Sequence, residues 1–369
     1  MKPYGLVLAG GGGKGAYQVG AWKAMREIGV TFNAVAGVSI GALNGALFVQ
    51  NDFSLTEALW DSISVDKGVN ITAPLPDPEN LFSRKNWGVL LREFMKNGGF
   101  DASPAQAFFA KYIDEDKIRK AHIPFGIVTV QRREDGMEGL ELFLSDIPEG
   151  KLLDYLFASA SVPLANNIGP EGERFLDGGL YDNTPVSMLR RSGFNRIVVI
   201  DIANIKGVNH NLDFQNCEVI YIRPYEIDDL GAAFDFSKET NARRMQFGYL
   251  DAKKAFSYLL GKIYYFPPAV FRGMVKKYGF RAVEQMEDLA YRLHLERLQV
   301  YDEAAFLTAL KAAYEATKAD ENEKLRQQEE RDFLTDESRL STFLRRFVIR
   351  KNDGDFSEAI AVLDAFAAQ

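Results

Sequence analysis

The chain opens on an alternation of two patterns. Leu6-Val7-Leu8-Ala9 is a continuous apolar run bounded by glycines, as expected of a strand buried on both faces. From residue 16 to 28 the apolar positions take helical spacing, with Val19, Trp22, Met25 and Ile28 on one face and Gly29 as a stop. Ala34-Val35-Ala36 predicts a second buried strand, and residues 40–49, rich in Ala, Leu and Gly, a second helix. Strands alternating with helices predict a mainly parallel sheet covered on both faces.

Residues 54–120 read as mainly helical, with loops at 66–80 and 97–103. Residues 125–130 and 140–144 predict a hairpin turning at Glu134-Asp135-Gly136. A helix is expected over 152–159, a short strand over 174–176, and two further strands over 197–202 and 219–222. Near residue 260 the pattern changes. Residues 268–369 carry helical spacing with almost no strand signal, and 315–337 reads as a charged, solvated helix or linker. The expected organisation is an α/β domain over 1–260 followed by a helical region over 261–369.

Composition narrows the classes. With 47% hydrophobic and 26% charged residues, the 369-residue chain is globular in character. A net charge of −7 gives no electrostatic reason to bind nucleic acid. The lone cysteine, Cys217, excludes an internal disulfide framework and a Cys-rich zinc site. Met1-Lys2-Pro3-Tyr4 runs into too short an apolar stretch for a signal peptide, and no run of about 18 apolar residues is present. The expectation is a cytoplasmic protein, with peripheral membrane contact left open.

Gly37-Val38-Ser39-Ile40-Gly41 fits G-x-S-x-G and lies between a strand pattern and a helix pattern. A sharp turn there needs the flanking Gly37 and Gly41, and puts Ser39 at a helix N-terminus, where an alkoxide is favoured. Ser39 is then either a nucleophile or a simple N-cap. The loop Gly10-Gly11-Gly12-Gly13-Lys14-Gly15 admits three readings. A dinucleotide site would want an acidic residue ending the second strand, which here ends in Gly37-Val38-Ser39. A P-loop would want Ser or Thr after Lys14 and Gly at Leu8. An oxyanion hole needs only consecutive amides turned into one concavity beside a nucleophile. A serine nucleophile also needs a proton acceptor. His122, His210 and His294 all lie in unpersuasive contexts, while Asp177, after Arg174-Phe175-Leu176 and before Gly178-Gly179, is either that acceptor or a plain Asp-Gly turn.

Together these segments resemble the patatin-like phospholipase family. Its G-G-G-x-[KR]-G loop is matched by Gly10 to Gly15, its G-x-S-x-G elbow by Gly37 to Gly41, continuing Ala42-Leu43-Asn44-Gly45, and its D-G-[GA] motif by Asp177-Gly178-Gly179. Ala158-Ser159-Ala160-Ser161-Val162-Pro163 and Asp182-Asn183-Thr184-Pro185 look typical of bacterial members. The likeness spans roughly residues 4–255. It implies a three-layer α/β/α fold and a Ser39–Asp177 dyad in place of a triad. It further implies an oxyanion hole formed by the amides around Gly11 to Gly13, and no metal or organic cofactor. The implied substrate is a phospholipid, lysophospholipid or related carboxylic ester. Acyl transfer to an alcohol, phosphate or nucleotide binding through the glycine loop, and a scaffold with an inactive site are the competing readings.

The helical region holds two mixtures of aromatic and basic residues. One runs from Tyr264-Tyr265-Phe266-Pro267-Pro268 through Phe271, Arg272, Lys276 and Lys277, the other over 343–351. Either could touch a lipid surface or pack helices together.

Overall fold

The computed structural model describes residues 3–63, 103–161, 173–203, 216–333 and 356–367. The loops expected at 66–80 and 97–103, the Val162-Pro163 pair, His210 and the 343–351 mixture lie outside them, Ser103 apart. The chain divides into two compact units, Met1–Phe256 and Ser257–Gln369.

The first unit is built on a seven-stranded mixed sheet, mostly parallel. Strand β1 (Tyr4–Leu8) leads through a 3₁₀ turn (Gly12–Gly15) into α1 (Ala16–Glu27), then β2 (Phe32–Val38) and α2 (Ile40–Gln50). Helices α3 (Phe53–Ser62), α4 (Ser103–Phe109) and α5 (Glu115–Lys120) precede the antiparallel hairpin β3 (Phe125–Arg133) and β4 (Gly136–Phe143). Helix α6 (Leu152–Ser159), β5 (Arg174–Asp177), α7 (Val186–Arg191), β6 (Arg196–Ile200), β7 (Glu218–Ile222) and α8 (Lys238–Ala255) complete it. The sheet order is β4-β3-β2-β1-β6-β7. Central strands run apolar beyond their first residues because both faces are covered there: Leu6, Val7 and Leu8 of β1 and Ile197 to Ile200 of β6 are all buried.

One strand edge decides where the site forms. β4 pairs along one edge of β3 from Gly126 to Arg133. The other edge is shared by two strands. β2 runs parallel to it as far as Val38 opposite Val128, and β5 takes over antiparallel from Asp177 opposite Thr129. The C-terminal ends of β2 and β5 therefore meet at consecutive positions of β3, which brings the residue after Val38 against Asp177.

Helices α1 and α8 cross with their backbones nearly touching. A Cβ on Gly20 would sit 1.8 Å from the Met245 carbonyl oxygen, and one on Gly248 would sit 1.9 Å from that of Tyr17. Beside this crossing the Tyr17 hydroxyl donates to the Asp251 carboxylate at 2.7 Å.

The second unit is helical: α9 (Pro268–Tyr278), α10 (Phe280–Arg292), α11 (Glu303–Phe333) and α12 (Ser357–Ala367). Tyr264, Tyr265 and Phe266 are wholly buried in its core, with Phe266 edge-on to Phe306 at 5.0 Å. These three rings pack helices rather than face a surface. The buried Glu287 carboxylate accepts the amides of Lys262, Ile263 and Tyr264, which satisfies a charge that would otherwise be costly in a core.

Candidate active site

Ser39 caps α2 in a conformation few side chains adopt, with φ 54° and ψ −126°. The turn is possible because both flanking glycines admit backbone where a Cβ would be. A Cβ on Gly37 would lie 2.3 Å from the Gly41 oxygen, and one on Gly41 would lie 2.2 Å from the Leu8 oxygen. The Ser39 carbonyl accepts the amides of Ala42 and Leu43 and so opens the helix, whose N-terminal dipole favours negative charge at this end. Its amide donates to the Ser159 hydroxyl at 2.9 Å, and that hydroxyl donates in turn to the Val128 carbonyl at 2.6 Å. Ser159 thus ties the strained turn to β3.

The Ser39 hydroxyl hydrogen-bonds the Asp177 carboxylate, the encounter set up by the shared edge of β3. Asp177 ends β5, and its Oδ1 also accepts the Gly179 amide at 2.8 Å. Gly178 is required because a Cβ there would lie 2.0 Å from the Val128 oxygen. Burial pushes the Asp177 carboxyl above the usual carboxylate range, and the hydrogen bonds from Ser39 and Gly179 pull it part of the way back. Among the described residues no histidine acts on this carboxylate. His122 and His294 are exposed residues with positive φ.

The glycine loop lies beside this pair, since β1 and β2 are neighbours and both end at the same sheet edge. Its amides are not equivalent. That of Gly10 donates to Asn183 Oδ1 at 3.1 Å, and Asn183 Nδ2 returns a bond to the Gly10 oxygen at 3.4 Å. Those of Gly13 and Lys14 donate to Ala233 O at 2.6 Å and Gly11 O at 3.3 Å. The amides of Gly11 and Gly12 have no acceptor among the described residues, and both glycines are half-buried. Two free donors suit one developing oxyanion better than the longer run of amides that cradles a phosphate. Gly15 leads into α1, packed against Ile40 and Trp60. Lys14 is half-buried, and burial followed by repulsion from Arg244 pushes its ammonium below the usual lysine value.

Behind the loop a buried polar chain joins it to α2. Gln18 Nε2 donates to Ala9 O, Asn44 Nδ2 donates to both Gly15 O and Gln18 Oε1, and Trp60 Nε1 donates to Asn44 Oδ1, all between 2.7 and 3.0 Å. Every member is satisfied, so the network fixes geometry without an orphaned polar group. Asn44, Ser159 and Asn183 all lie in segments that stood out in the sequence, but their roles depend on long-range contacts that no motif spells out. Gln18, Trp60 and Arg244 carried no sequence signal. Among the described residues no group of three or more His, Cys, Asp or Glu side chains is arranged to hold a metal ion.

The model of the family described as patatin-like phospholipase matches residues 6–190, half of the chain. The chain belongs to that family. Family relatives include lysophospholipase NTE1 of Cryptococcus neoformans, 28% identical over 205 residues that make up 54% of this chain and 11% of the relative. Patatin-like phospholipase domain-containing protein 7 of Rattus norvegicus is 26% identical over 211 residues, 54% of this chain and 13% of its own length. The chain therefore spans little more than a tenth of the curated relatives it matches. Among solved structures, VipD from Legionella pneumophila aligns with all of this chain and 85% of its own at 14% identity and a TM-score of 0.43. ExoU of Pseudomonas aeruginosa, in complex with SpcU, aligns with 84% of this chain and 68% of its own at 16% identity and a TM-score of 0.30. Ser39, Asp177 and the glycine loop all fall inside the family-matched segment; Ala233 and Arg244 fall outside it.

Proposed function

We propose that this chain hydrolyses carboxylic ester bonds of phospholipids or lysophospholipids, with Ser39 as nucleophile and Asp177 as its proton acceptor. The observation that carries the reading is the meeting of Ser39 and Asp177 across consecutive positions of β3, at a helix N-terminus and beside two amides with no acceptor among the described residues.

In this mechanism Ser39 Oγ attacks the ester carbonyl as its proton passes to Asp177, and the new Oγ–C bond puts negative charge on the former carbonyl oxygen. The Gly11 and Gly12 amides receive that charge. Collapse of the tetrahedral species expels the alcohol, which takes the proton from Asp177 and leaves an acyl-serine. Water, deprotonated by the same carboxylate, then releases the fatty acid and restores Ser39. An ordinary carboxylate, titrating near about 3.9, is a weak base for an alcohol. Burial makes Asp177 more basic than that, and the helix terminus lowers the cost of the alkoxide, so the two effects close the gap from opposite sides. Lipid substrates are in keeping with the names of the relatives.

The test is a short-chain chromogenic ester and a serine-directed phosphonate probe, applied to the wild type, Ser39→Ala and Asp177→Asn, followed by a lipid panel. Labelling of the wild type that disappears in Ser39→Ala is expected. Full turnover by Asp177→Asn would refute the dyad.

A further inference from the structure

The glycine loop is pinned from a side that the family-matched segment does not contain. The Gly13 amide donates to Ala233 O at 2.6 Å, and a Cβ on Gly12 would lie 2.5 Å from the same oxygen. Ala233 belongs to the stretch between the 3₁₀ turn Ile227–Leu230 and α8, which has little secondary structure of its own to fix it. The Asp235 carboxylate ties its end to the start of α8 through the Ser237 amide and the Thr240 hydroxyl, and Arg244 holds its length. This side chain is wholly buried, and its guanidinium holds three carbonyls of that stretch: Nε donates to Leu230 O at 2.7 Å, Nη1 to Asp235 O at 2.5 Å and Nη2 to Ala232 O at 2.6 Å. Nη1 also reaches Asn241 Oδ1 at 3.3 Å and lies 2.9 Å from where a Gly13 Cβ would stand. The stretch wraps around a planar five-donor fork, an arrangement an ammonium cannot reproduce.

The position of Arg244 follows from the helix crossing. Gly20 against Met245 and Gly248 against Tyr17 bring the two backbones together at two points, which fixes the register of α8 against α1. Arg244 stands one turn before Gly248 and one residue before Met245, and is delivered to Gly13 by that register.

Resting on the acyl-hydrolase reading above, we propose that Arg244 is a positioning residue for the oxyanion hole: through the 230–235 stretch and the Ala233–Gly13 bond it aims the free amides of Gly11 and Gly12. The functional unit then extends through α8 to Ala255, beyond the family-matched segment. Loss of the fork lets Ala233 drift, and the loop amides with it. Displacement of donors by about 1 Å costs on the order of 100-fold in rate, with little effect on ground-state binding, because charge develops on that oxygen only in the transition state.

The experiment compares Arg244→Lys, Arg244→Gln and Gly231→Ala with the wild-type chain, each normalised by phosphonate titration of active serines. Gly231 is an exposed residue at φ 65° and ψ −159°, a region only glycine occupies readily, so its substitution strains the same stretch while the guanidinium stays in place, a Cβ there meeting Arg244 Nη2 only at an ordinary 4.0 Å contact. In all three variants kcat per titrated site is expected to fall about 10- to 100-fold. KM should stay within about twofold, the phosphonate labelling rate should fall in parallel, and the acid limb of the pH profile should not move. A merely structural residue would lower the number of titratable sites and leave kcat per site unchanged. A titrated kcat within twofold of wild type in Arg244→Lys or Gly231→Ala would overturn the proposal, and Gly231→Ala decides the matter if the Arg244 variants do not fold. Labelling that persists in Ser39→Ala would instead sink the underlying dyad reading, so the two failures are told apart.

Discussion

Replacement of Ser159 by alanine separates the cost of holding the elbow from the chemistry it serves. The hydroxyl is buried and fully used, accepting the Ser39 amide at 2.9 Å and donating to Val128 O at 2.6 Å. Alanine leaves no void to speak of but orphans both groups, each at about 1–3 kcal/mol. One of them belongs to a residue whose backbone conformation itself costs about 1–3 kcal/mol and persists only while neighbours enforce it. A loss near 3 kcal/mol is expected, read as a lower urea midpoint with an unchanged m-value. In a unit of this size that corresponds to a Tm lower by roughly 6–12 °C. The released turn relaxes, Ser39 Oγ moves off Asp177, and kcat/KM falls on the order of 100-fold even at temperatures where the variant is fully folded. Stability within about 0.5 kcal/mol of wild type, together with an unchanged phosphonate labelling rate, would refute this account of how the elbow is held.

Asp177→Asn trades activity for stability. A carboxyl whose folded pKa is raised favours the folded state below the ordinary carboxylate range, and that contribution is lost as pH rises through the folded value. Near pH 7 the variant is therefore expected to melt no lower than wild type while losing ester turnover, checked by calorimetry at pH 5 and 8 beside the rate assay. By the same shift, the acid limb of kcat/KM in the wild type should titrate above about 3.9; a limb at or below that value would remove Asp177 as the base. Asn183→Ala frees the Gly10 peptide and opens space beside Gly179, so kcat should fall more than tenfold at similar KM; unchanged kcat would show that the clamp is dispensable. Gly248→Ala drives a Cβ to 1.9 Å from the Tyr17 oxygen, and its expected consequence is an insoluble or strongly destabilised chain, judged by the soluble fraction and Tm against Gly273→Ala, which meets nothing within 4 Å.

The parts of this fold that were legible in the sequence are those encoded locally. Continuous apolar runs marked β1 and β6, helical spacing marked α1, an Ala-, Leu- and Gly-rich run marked α2, and Glu134-Asp135-Gly136 marked the hairpin turn, because each is written in the residues of one element. Ser39 and Asp177 could be singled out, but not the reason they meet. That reason is the change of partner on β3 between Val128 and Thr129, a pairing of distant segments that no periodicity records. The same holds for the glycine loop. Gly10 to Gly15 offered consecutive amides and the resemblance pointed to those around Gly11 to Gly13, but only their neighbours distinguish Gly11 and Gly12 from Gly10 and Gly13. Tyr264, Tyr265 and Phe266 make the opposite point: basic residues near aromatic ones admit two readings on paper, and only burial decides between them.

The handover on β3 also has a bearing on how the chain is made. A growing polypeptide emerges at roughly 5–20 residues per second, N-terminus first. Ser39 and the glycine loop leave the ribosome early, yet the carboxylate that abuts Ser39 waits for β5, and the clamp on the loop waits for α8. For several seconds the nascent chain carries Ser39 without the carboxylate that meets it, and loop amides with no fixed aim. The two halves of the site therefore come together only once the scaffold that holds both of them has closed.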